Sequence, residues 1–335
     1  MNLVPSILSG AAFGAALTAS GVWNPSFIVA QMKLRDFHML KVFLTAGGVS
    51  ALAIHLLSRS GYVPKKPRAP SLLITGLPYD GNIIGGAMIG LGMTLTGACP
   101  GTVLVQVVTQ TYPGIYSFAG GFLGGLLYVS LQGYLKHSSS DAKTKDEDLW
   151  LYTKLHVDAD SAVLAWVAMY TSIVSIATAL APPTQQNPFL PPVLGGLFIG
   201  AAQVASLIIR RAPVGISTAY EDIGARMCSI FQKSEDRKCV KTATPSVVFA
   251  AGVMIGAAAL VRAMPKFAMP ATDMSLGISP ARAVLGGVTM VFGARLAGGC
   301  TSGHGISGMS MLATASIVTV ASMFASGMGL AQLLY

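Results

Sequence analysis

The sequence predicts an all-α polytopic membrane protein, with about nine transmembrane helices and several short re-entrant helices arranged as two inverted repeats. Three observations support this fold class. The 335 residues are 53% hydrophobic and only 10% charged, whereas soluble domains carry about a quarter charged residues. The charged residues are clustered, so long uncharged runs lie between them. In addition, one pattern of glycines that ends in a cysteine occurs twice with identical spacing.

Nine apolar segments have a length suited to a transmembrane helix, which needs roughly 17–25 mainly apolar residues. The chain has 38 glycines, and glycine is common in transmembrane helices because it lets helices approach closely. The first segment has no basic residue before it, so we interpret it as a retained helix and not as a cleaved signal peptide. The nine segments lie near residues 3–20, 37–58, 79–97, 113–135, 161–181, 193–209, 244–262, 280–297 and 314–334.

Four further pieces are too short or too polar to be predicted as crossings. We interpret them as re-entrant half-helices, which protein or a water-filled cavity must cover because their backbone groups cannot face lipid. They lie near residues 24–34, 100–110, 213–230 and 301–311.

The chain repeats itself at a constant offset of 201 residues, without gaps. The first copy is Gly85-Gly86-(x5)-Gly92-(x2)-Leu95-x-Gly97-x-Cys99, and the second is Gly286-Gly287-(x5)-Gly293-(x2)-Leu296-x-Gly298-x-Cys300. A weaker match links residues 10–20 to residues 196–206. The repeat predicts four parts: a first membrane repeat at 1–135, a solvated linker at 136–160, a linker transmembrane helix at 161–181 and a second membrane repeat at 193–335.

Equivalent predicted helices are five crossings apart, an odd number, so the two halves are expected to have opposite orientations if the short pieces do not cross. Inverted repeats of this kind are typical of transporters, whose binding sites lie near the bilayer midplane at the repeat interface. This pattern therefore predicts a transport function.

The net charge of +9 does not indicate nucleic-acid binding, because the Lys and Arg residues lie mainly in short loops between the predicted helices. Fifteen of the 22 fall on one side of the nine-crossing topology and six on the other, while Arg295 lies inside a helix. Under the positive-inside rule this bias predicts a cytoplasmic N-terminus. We expect a multi-pass integral protein of the plasma membrane.

Two glycine-rich turns carry the candidate chemistry: Gly97-Ala98-Cys99-Pro100-Gly101-Thr102 and Gly298-Gly299-Cys300-Thr301-Ser302-Gly303-His304-Gly305. Each follows an apolar segment and precedes a short one, which indicates a broken helix with a new N-terminus at membrane depth. Proline suits the first turn of a helix, and Thr and Ser are good N-caps. Helix N-termini bind anions through free N–H groups and the helix dipole. A thiol adds a weak donor without a fixed charge.

We therefore predict an anion site without catalytic residues, a metal ion or an organic cofactor. Arg295 could attract the anion or pair with a carboxylate, and for His304 we favour helix capping over proton transfer. Ordinary buried core cysteines, a Cys99–Cys300 disulfide, and a metal site that lacks a clear fourth ligand remain alternatives. The candidate substrate-binding residues are Cys99, Cys300, Gly97, Pro100, Gly101, Thr102, Gly298, Gly299, Thr301, Ser302, Gly303, His304 and Arg295.

With these two turns and its two-half layout, the chain resembles the YeeE/YedE sulphur-transport family, the thiosulfate transporters. The resemblance implies nine transmembrane helices plus short inserted helices, and thiosulfate passing a row of cysteines on a narrow central path. Cys99 and Cys300 match two of those cysteines. The family's third cysteine follows the first helix, where this chain has none in residues 18–24. Ser20 or Asn24 could replace it, or the cargo could be another sulfur or selenium species.

The predicted function is uptake of thiosulfate or a related small sulfur anion past the two cysteines, without enzymatic activity. The predicted partners are this inorganic anion, the lipid bilayer and a cytosolic sulfurtransferase, and no nucleic acid. One alternative is a membrane-embedded redox or sulfur-transfer enzyme, whose thiolate a helix N-terminus would stabilise. Another is a structural membrane scaffold, which would have no cavity between the repeats.

Overall fold

The computed structural model describes residues 3–64, 67–73, 78–135, 149–181, 189–231, 244–268 and 276–335. Within these ranges the chain is helical, and its one β-type contact is an isolated bridge between Trp150 and Ala313. The α-helices are α1 (Val4–Ser20), α2 (Pro25–Met32), α3 (His38–Arg59), α4 (Asp80–Thr96), α5 (Thr102–Val108), α6 (Gly114–Leu135), α7 (Leu151–Lys154), α8 (Ala159–Leu180), α9 (Pro192–Arg210), α10 (Ser217–Phe231), α11 (Pro245–Ala263), α12 (Pro280–Leu296) and α13 (Thr314–Leu334).

All nine predicted long helices are present, as α1, α3, α4, α6, α8, α9, α11, α12 and α13, with ends within two residues of the predicted ones. Within the described ranges, six are long and apolar enough to cross a membrane alone: α3, α6, α8, α9, α11 and α13. The pair α1 and α2, bent by 70°, forms a seventh if it is one crossing. The all-α polytopic fold class is thus confirmed, and the count of nine crossings stays a prediction.

Helices α4 and α12 have 17 residues each, or about 26 Å at 1.5 Å per residue, and pack against each other at the centre. Where the two helices cross, their backbones lie so close together that only glycine fits. A Cβ on Gly92 would lie 2.6 Å from the Gly286 carbonyl oxygen, and one on Gly293 would lie 2.7 Å from that of Gly85. Because low residue numbers of α4 meet high numbers of α12, the two helices run antiparallel.

The contacts between elements occur in matching pairs. The contact of α1 with α11 in one pair corresponds to the contact of α9 with α3. In the other pair, the contact of α4 with α13 corresponds to the contact of α12 with α6. These pairs support the predicted two-fold relation between the halves, whose boundaries stay a prediction. Helix α8 lies outside this scheme: it packs on α3 through Val163 and Tyr170, and most of its surface is exposed.

The predicted linker is only partly solvated where it is described. Trp150 bridges to Ala313, and the Leu151 N–H donates to the Leu312 carbonyl at 2.9 Å. This contact fastens α7 to the end of the second cysteine turn. Residues 136–148 of the predicted linker lie outside the described residues.

The short pieces form helices, with two departures from prediction. Helix α2 begins at Pro25, and Asn24 caps it by accepting from the Ser26 N–H at 2.9 Å. Helix α10 begins at Ser217, later than predicted, because Gln203 Oε1 holds the N–H of Val214 at 3.0 Å in the preceding loop. The piece near 301–311 is a π-helix (Ser302–Gly308) and a 3-10 turn (Met309–Met311), not an α-helix.

Candidate functional site

Both cysteine turns begin at a glycine in the left-handed conformation. Gly97 has φ +61° and Gly298 has φ +81°, values that favour glycine because other residues place a Cβ too close to the backbone. At Gly97 a Cβ would also lie 2.8 Å from the Cβ of Pro25, at the start of α2. The two predicted helix breaks are therefore present at equivalent positions.

Cys99 is buried, and Thr102 surrounds it with polar atoms. The Thr102 hydroxyl accepts the N–H of Cys99 at 2.8 Å and lies 3.4 Å from the Cys99 sulfur. The N–H of Thr102 donates to the same sulfur at 3.4 Å. Thr102, one of the predicted substrate-binding residues, thus contacts the sulfur through both its hydroxyl and its N–H.

Cys300 is almost completely buried, and more donors face its sulfur. The Ser302 hydroxyl lies 3.3 Å from this sulfur. The N–H groups of Ile216, Ser217 and Gly303 lie near it as well. Ser217 is the first residue of α10, so the start of a helix from elsewhere in the sequence lies beside this thiol.

The two thiols share one neighbourhood. Cys99 lines the same small cavity as Thr301 and Ser302, the two residues that follow Cys300. The Tyr220 hydroxyl donates to the Pro100 carbonyl at 3.1 Å, which ties α10 to the first turn. Both cysteines are free thiols, so the alternative of a Cys99–Cys300 disulfide is absent from this structure.

Each cysteine turn borders a cavity. A small cavity of about 40 Å³ touches Cys99, Gly101, Thr102, Thr301 and Ser302. Its remaining wall is apolar and consists of Phe13, Leu17, Val22, Met39, Val42, Phe43, Ala46, Ile199 and Ile306. A larger one of about 240 Å³ is lined by Gly298, Arg295, Tyr128 and residues 69–73. A purely structural scaffold predicts no such hollow at the site.

The chain matches the sulphur transport family over residues 4–329. It belongs to this family. It is 24% identical to the thiosulfate transporter TsuA of Escherichia coli (strain K12), over 90% of this chain and 86% of that protein. It is 25% identical to the thiosulfate transporter TsuA of Spirochaeta thermophila, over 92% of each. A probable transporter of Xylella fastidiosa is 26% identical over 42% of this chain and 90% of its own length.

Family membership and the apolar helices together identify a multi-pass membrane protein of sulphur transport. The family predicted from the two turns is confirmed. The roles of the individual site residues are not tested by these comparisons, so each residue is described by what it contacts.

In this sulphur transporter Arg295 pairs with a carboxylate, one of the two roles considered for it. It forms an ion pair with Glu221 of α10, and its Nη1 donates to the Ser217 hydroxyl at 3.3 Å. Its charge is thus compensated, and the side chain holds α10 against α12. Any attraction of an anion by Arg295 is weakened by this pairing.

His304 has the predicted capping role. Its Nε2 donates to the carbonyl of Ala297 at the end of α12 (3.1 Å), and its Nδ1 shares a hydrogen bond of 2.9 Å with the Ser316 hydroxyl. Because a carbonyl can only accept, Nε2 carries a proton. Both ring nitrogens are occupied by structural hydrogen bonds.

The capping predicted for Thr301 and Ser302 is wrong. Neither side chain bonds to a free N–H of the π-helix. The Thr301 hydroxyl instead faces the sulfurs of Met93 and Met323 at 3.5 and 3.6 Å, and the Ser302 hydroxyl faces Cys300. Pro100 also departs from prediction, since it lies two residues before the first residue of α5.

Ser20 and Asn24, the suggested substitutes for a third cysteine, are otherwise engaged. The Ser20 hydroxyl donates to the Leu17 carbonyl at 3.0 Å, and Asn24 caps α2. In this segment Val22 lines the small cavity beside Cys99. No group of three or more His, Cys, Asp or Glu side chains within the described ranges is placed to hold a metal ion.

Sequence reasoning missed Arg68, Ile216 and Ser217. Arg68 was counted only as a loop charge, yet its Nε donates to the Gly303 carbonyl at 3.2 Å and its Nη1 donates to the Gly298 carbonyl. The surrounding sequence Pro67-Arg68-Ala69-Pro70 could have indicated an extended segment at this place. Prolines restrict themselves and the residue before them to extended backbone, so such a segment can lie across a helix break.

Proposed function

We propose that this chain takes up thiosulfate, or a closely related small sulfur anion, along a central path past Cys99 and Cys300. The observation that carries the proposal is the pair of buried thiols at equivalent helix breaks, with a polar group of Thr102 or Ser302 at each sulfur and a cavity that touches both turns. The two relatives named as thiosulfate transporters support this cargo.

The geometry suits a hand-over mechanism. The Thr102 N–H donates to the Cys99 sulfur, and the Ser302 hydroxyl lies 3.3 Å from the Cys300 sulfur. Each S–H proton is then left to donate to an arriving anion. A neutral thiol binds an anion weakly, because it is a weak donor without charge. Conduction needs several weak sites in a row, since tight binding would retain the anion. Two thiols that share one neighbourhood provide such a row.

The apolar cavity beside Cys99 acts as the barrier of the path. At about 40 Å³ it has room for little more than a few waters. Apolar constrictions block ions because water leaves them. The anion therefore crosses this part only when side chains such as Phe43 and Met39 move apart.

We further propose that residues 1–135 and 193–335 form two inverted repeats, joined through the linker at 136–160 and the linker helix at 161–181. The relative that matches 42% of this chain over 90% of its own length supports half-size units of this kind. On this scheme the N-terminus is cytoplasmic, the host membrane is the plasma membrane, and a cytosolic sulfurtransferase consumes the imported sulfur.

The proposal is tested by uptake of labelled thiosulfate into liposomes that contain the purified chain. We expect Cys99→Ala and Cys300→Ala to reduce initial uptake at least roughly tenfold, since each removes a donor that the anion meets within the path. Cys228→Ala is the matched control. Cys228 is a half-buried thiol on α10 that lies 3.6 Å from the Ser130 hydroxyl, so its removal should leave uptake unchanged.

Undiminished uptake in both Cys99→Ala and Cys300→Ala would refute the cysteine path. Competition with sulfate tests the cargo, because sulfate has the same charge as thiosulfate but lacks its terminal sulfur. Inhibition by sulfate as strong as that by unlabelled thiosulfate would refute specificity for the sulfur atom.

A further inference from the structure

The extended segment of residues 67–73, here called the strap, crosses the second helix break and places Arg68 beside Cys300. We infer that Arg68 is the cationic group that selects anions at the Cys300 end of the path. The inference rests on the proposed function, because it assigns this residue to the same path.

The guanidinium of Arg68 is held in the second cysteine turn. Its Nε donates to the Gly303 carbonyl at 3.2 Å, and its Nη1 donates to the Gly298 carbonyl. The guanidinium lies beside Gly299 and Gly303, which flank Cys300 in the turn. Two of its five N–H groups are used by these carbonyls. The remaining N–H groups of the guanidinium are thus available to an anion at Cys300.

Two glycines of the turn make room for this group. A Cβ on Gly299 would lie 2.8 Å from Arg68 Nη1, and one on Gly303 would lie 2.7 Å from Nη2. Real Cβ contacts are not this short, so a side chain at either position would push the guanidinium out. Gly299 and Gly303, on either side of Cys300, therefore leave the space that the Arg68 guanidinium occupies.

The charge of Arg68 is uncompensated within the described part of the chain. The neighbouring Arg295 is neutralised by Glu221, whereas the contacts of Arg68 are carbonyls. A cation without an acidic partner is costly in a membrane protein and is retained where function needs it. The net charge beside Cys300 is consequently positive, which favours an anion.

The equivalent carbonyl in the first turn shows whether the fold needs a positive charge at this position. The Gly97 carbonyl, which corresponds to that of Gly298, accepts at 3.0 Å from the neutral amide of Gln106. A neutral amide is therefore sufficient to satisfy this carbonyl at a helix break. A positive charge at Gly298 is not required by the fold, so its purpose lies in what binds there.

The strap is fixed and borders the larger cavity. The Ser71 N–H donates to Asn82 at 2.8 Å, the Ser71 hydroxyl donates to the Leu296 carbonyl at 2.5 Å, and the Leu73 N–H donates to Asp80 at 2.7 Å. Its residues 69–73 line the cavity of about 240 Å³ together with Gly298. The strap thus holds Arg68 between this cavity, which begins at the adjacent Ala69, and the turn that carries Cys300.

The test compares Arg68→Gln and Arg68→Lys in the full chain, with the half-saturation concentration and maximal rate of thiosulfate uptake as readouts. Arg68→Gln supplies the neutral amide that serves at Gly97, and Arg68→Lys retains the charge without the fork. Arg59→Gln is the control, since Arg59 is an exposed arginine paired with Asp160. Melting temperature in detergent reports whether each variant is folded.

We expect Arg68→Gln to raise the half-saturation concentration by roughly tenfold or more, the range for a lost charge-assisted hydrogen bond. Arg68→Lys should raise it less, and Arg59→Gln should not change it. Salt should weaken uptake by the wild type more than uptake by Arg68→Gln. An unchanged half-saturation concentration with a lower maximal rate in both Arg68 variants would overturn the inference and leave a structural role. If the wild type takes up no thiosulfate, the proposed function itself fails.

Discussion

Val22→Cys should raise thiosulfate uptake, because it places a third thiol in the apolar cavity beside Cys99. Val22 is 6% exposed and lines this cavity with Leu17 and Phe43. It also lies in the segment after α1 where the family resemblance implies a further cysteine. A thiol donor worth about 1 kcal/mol to an anion in the constriction would increase the rate about fivefold if this step limits uptake.

The substitution should be tolerated. Replacing valine by cysteine removes about one methyl group from a buried site, which costs about 1 kcal/mol. Val22→Ala removes two carbons and costs about 2 kcal/mol, yet it adds space without a thiol. Initial uptake into liposomes, divided by the amount of folded protein, compares the two variants. An equal increase in Val22→Cys and Val22→Ala would refute the reasoning, because space alone would then explain it.

Two further predictions concern the scaffold, with melting temperature in detergent as the measurement. Gly92→Ala should destabilise the chain by about 1–3 kcal/mol, since its Cβ would lie 2.5 Å from the Cβ of Met290. Gly133→Ala on α6 has open space around its Cβ and should be neutral or stabilising by up to about 1 kcal/mol. An equal drop in melting temperature in Gly92→Ala and Gly133→Ala would contradict the close packing of α4 against α12. Gln106→Leu removes hydrogen bonds to the Trp23 and Gly97 carbonyls of 2.8 and 3.0 Å and should cost about 1–3 kcal/mol. An unchanged melting temperature in Gln106→Leu would mean that these bonds do not hold the first turn.

The helices of this transporter were predictable because their signal is local. Length, apolarity and terminal prolines define α9, α11 and α12, and the structure places their ends within two residues of prediction. The left-handed glycines at 97 and 298 were also foreseeable, because a glycine before a cysteine and a new apolar segment marks a chain break. Each of these features depends only on neighbouring residues.

The surroundings of the thiols depend on distant residues, and here the prediction was incomplete. Arg68 reaches Gly303 across 235 positions, and Tyr220 reaches Pro100 across 120. No periodicity encodes such contacts. The π-helix at Ser302–Gly308 was missed for a related reason. It has a wide backbone that packs against Phe43 and Ser316, where a Cβ on Gly305 or Gly308 would lie 1.8 or 2.1 Å away.

The repeat and the loops make different contributions to the path. The repeated helices place two thiols at equivalent breaks, which by itself would give a path with the same chemistry at both ends. Non-repeated residues remove that equivalence. At the first break a neutral Gln106 bonds to the Gly97 carbonyl, whereas at the second break a charged Arg68 bonds to the Gly298 carbonyl. The apolar cavity touches both turns, at Cys99 and at Thr301. On the proposed path, Arg68 would attract an anion at the Cys300 end, and the apolar wall of the cavity would hold it back. Selection and gating would then change independently, because the residues responsible for each lie on separate segments of the chain.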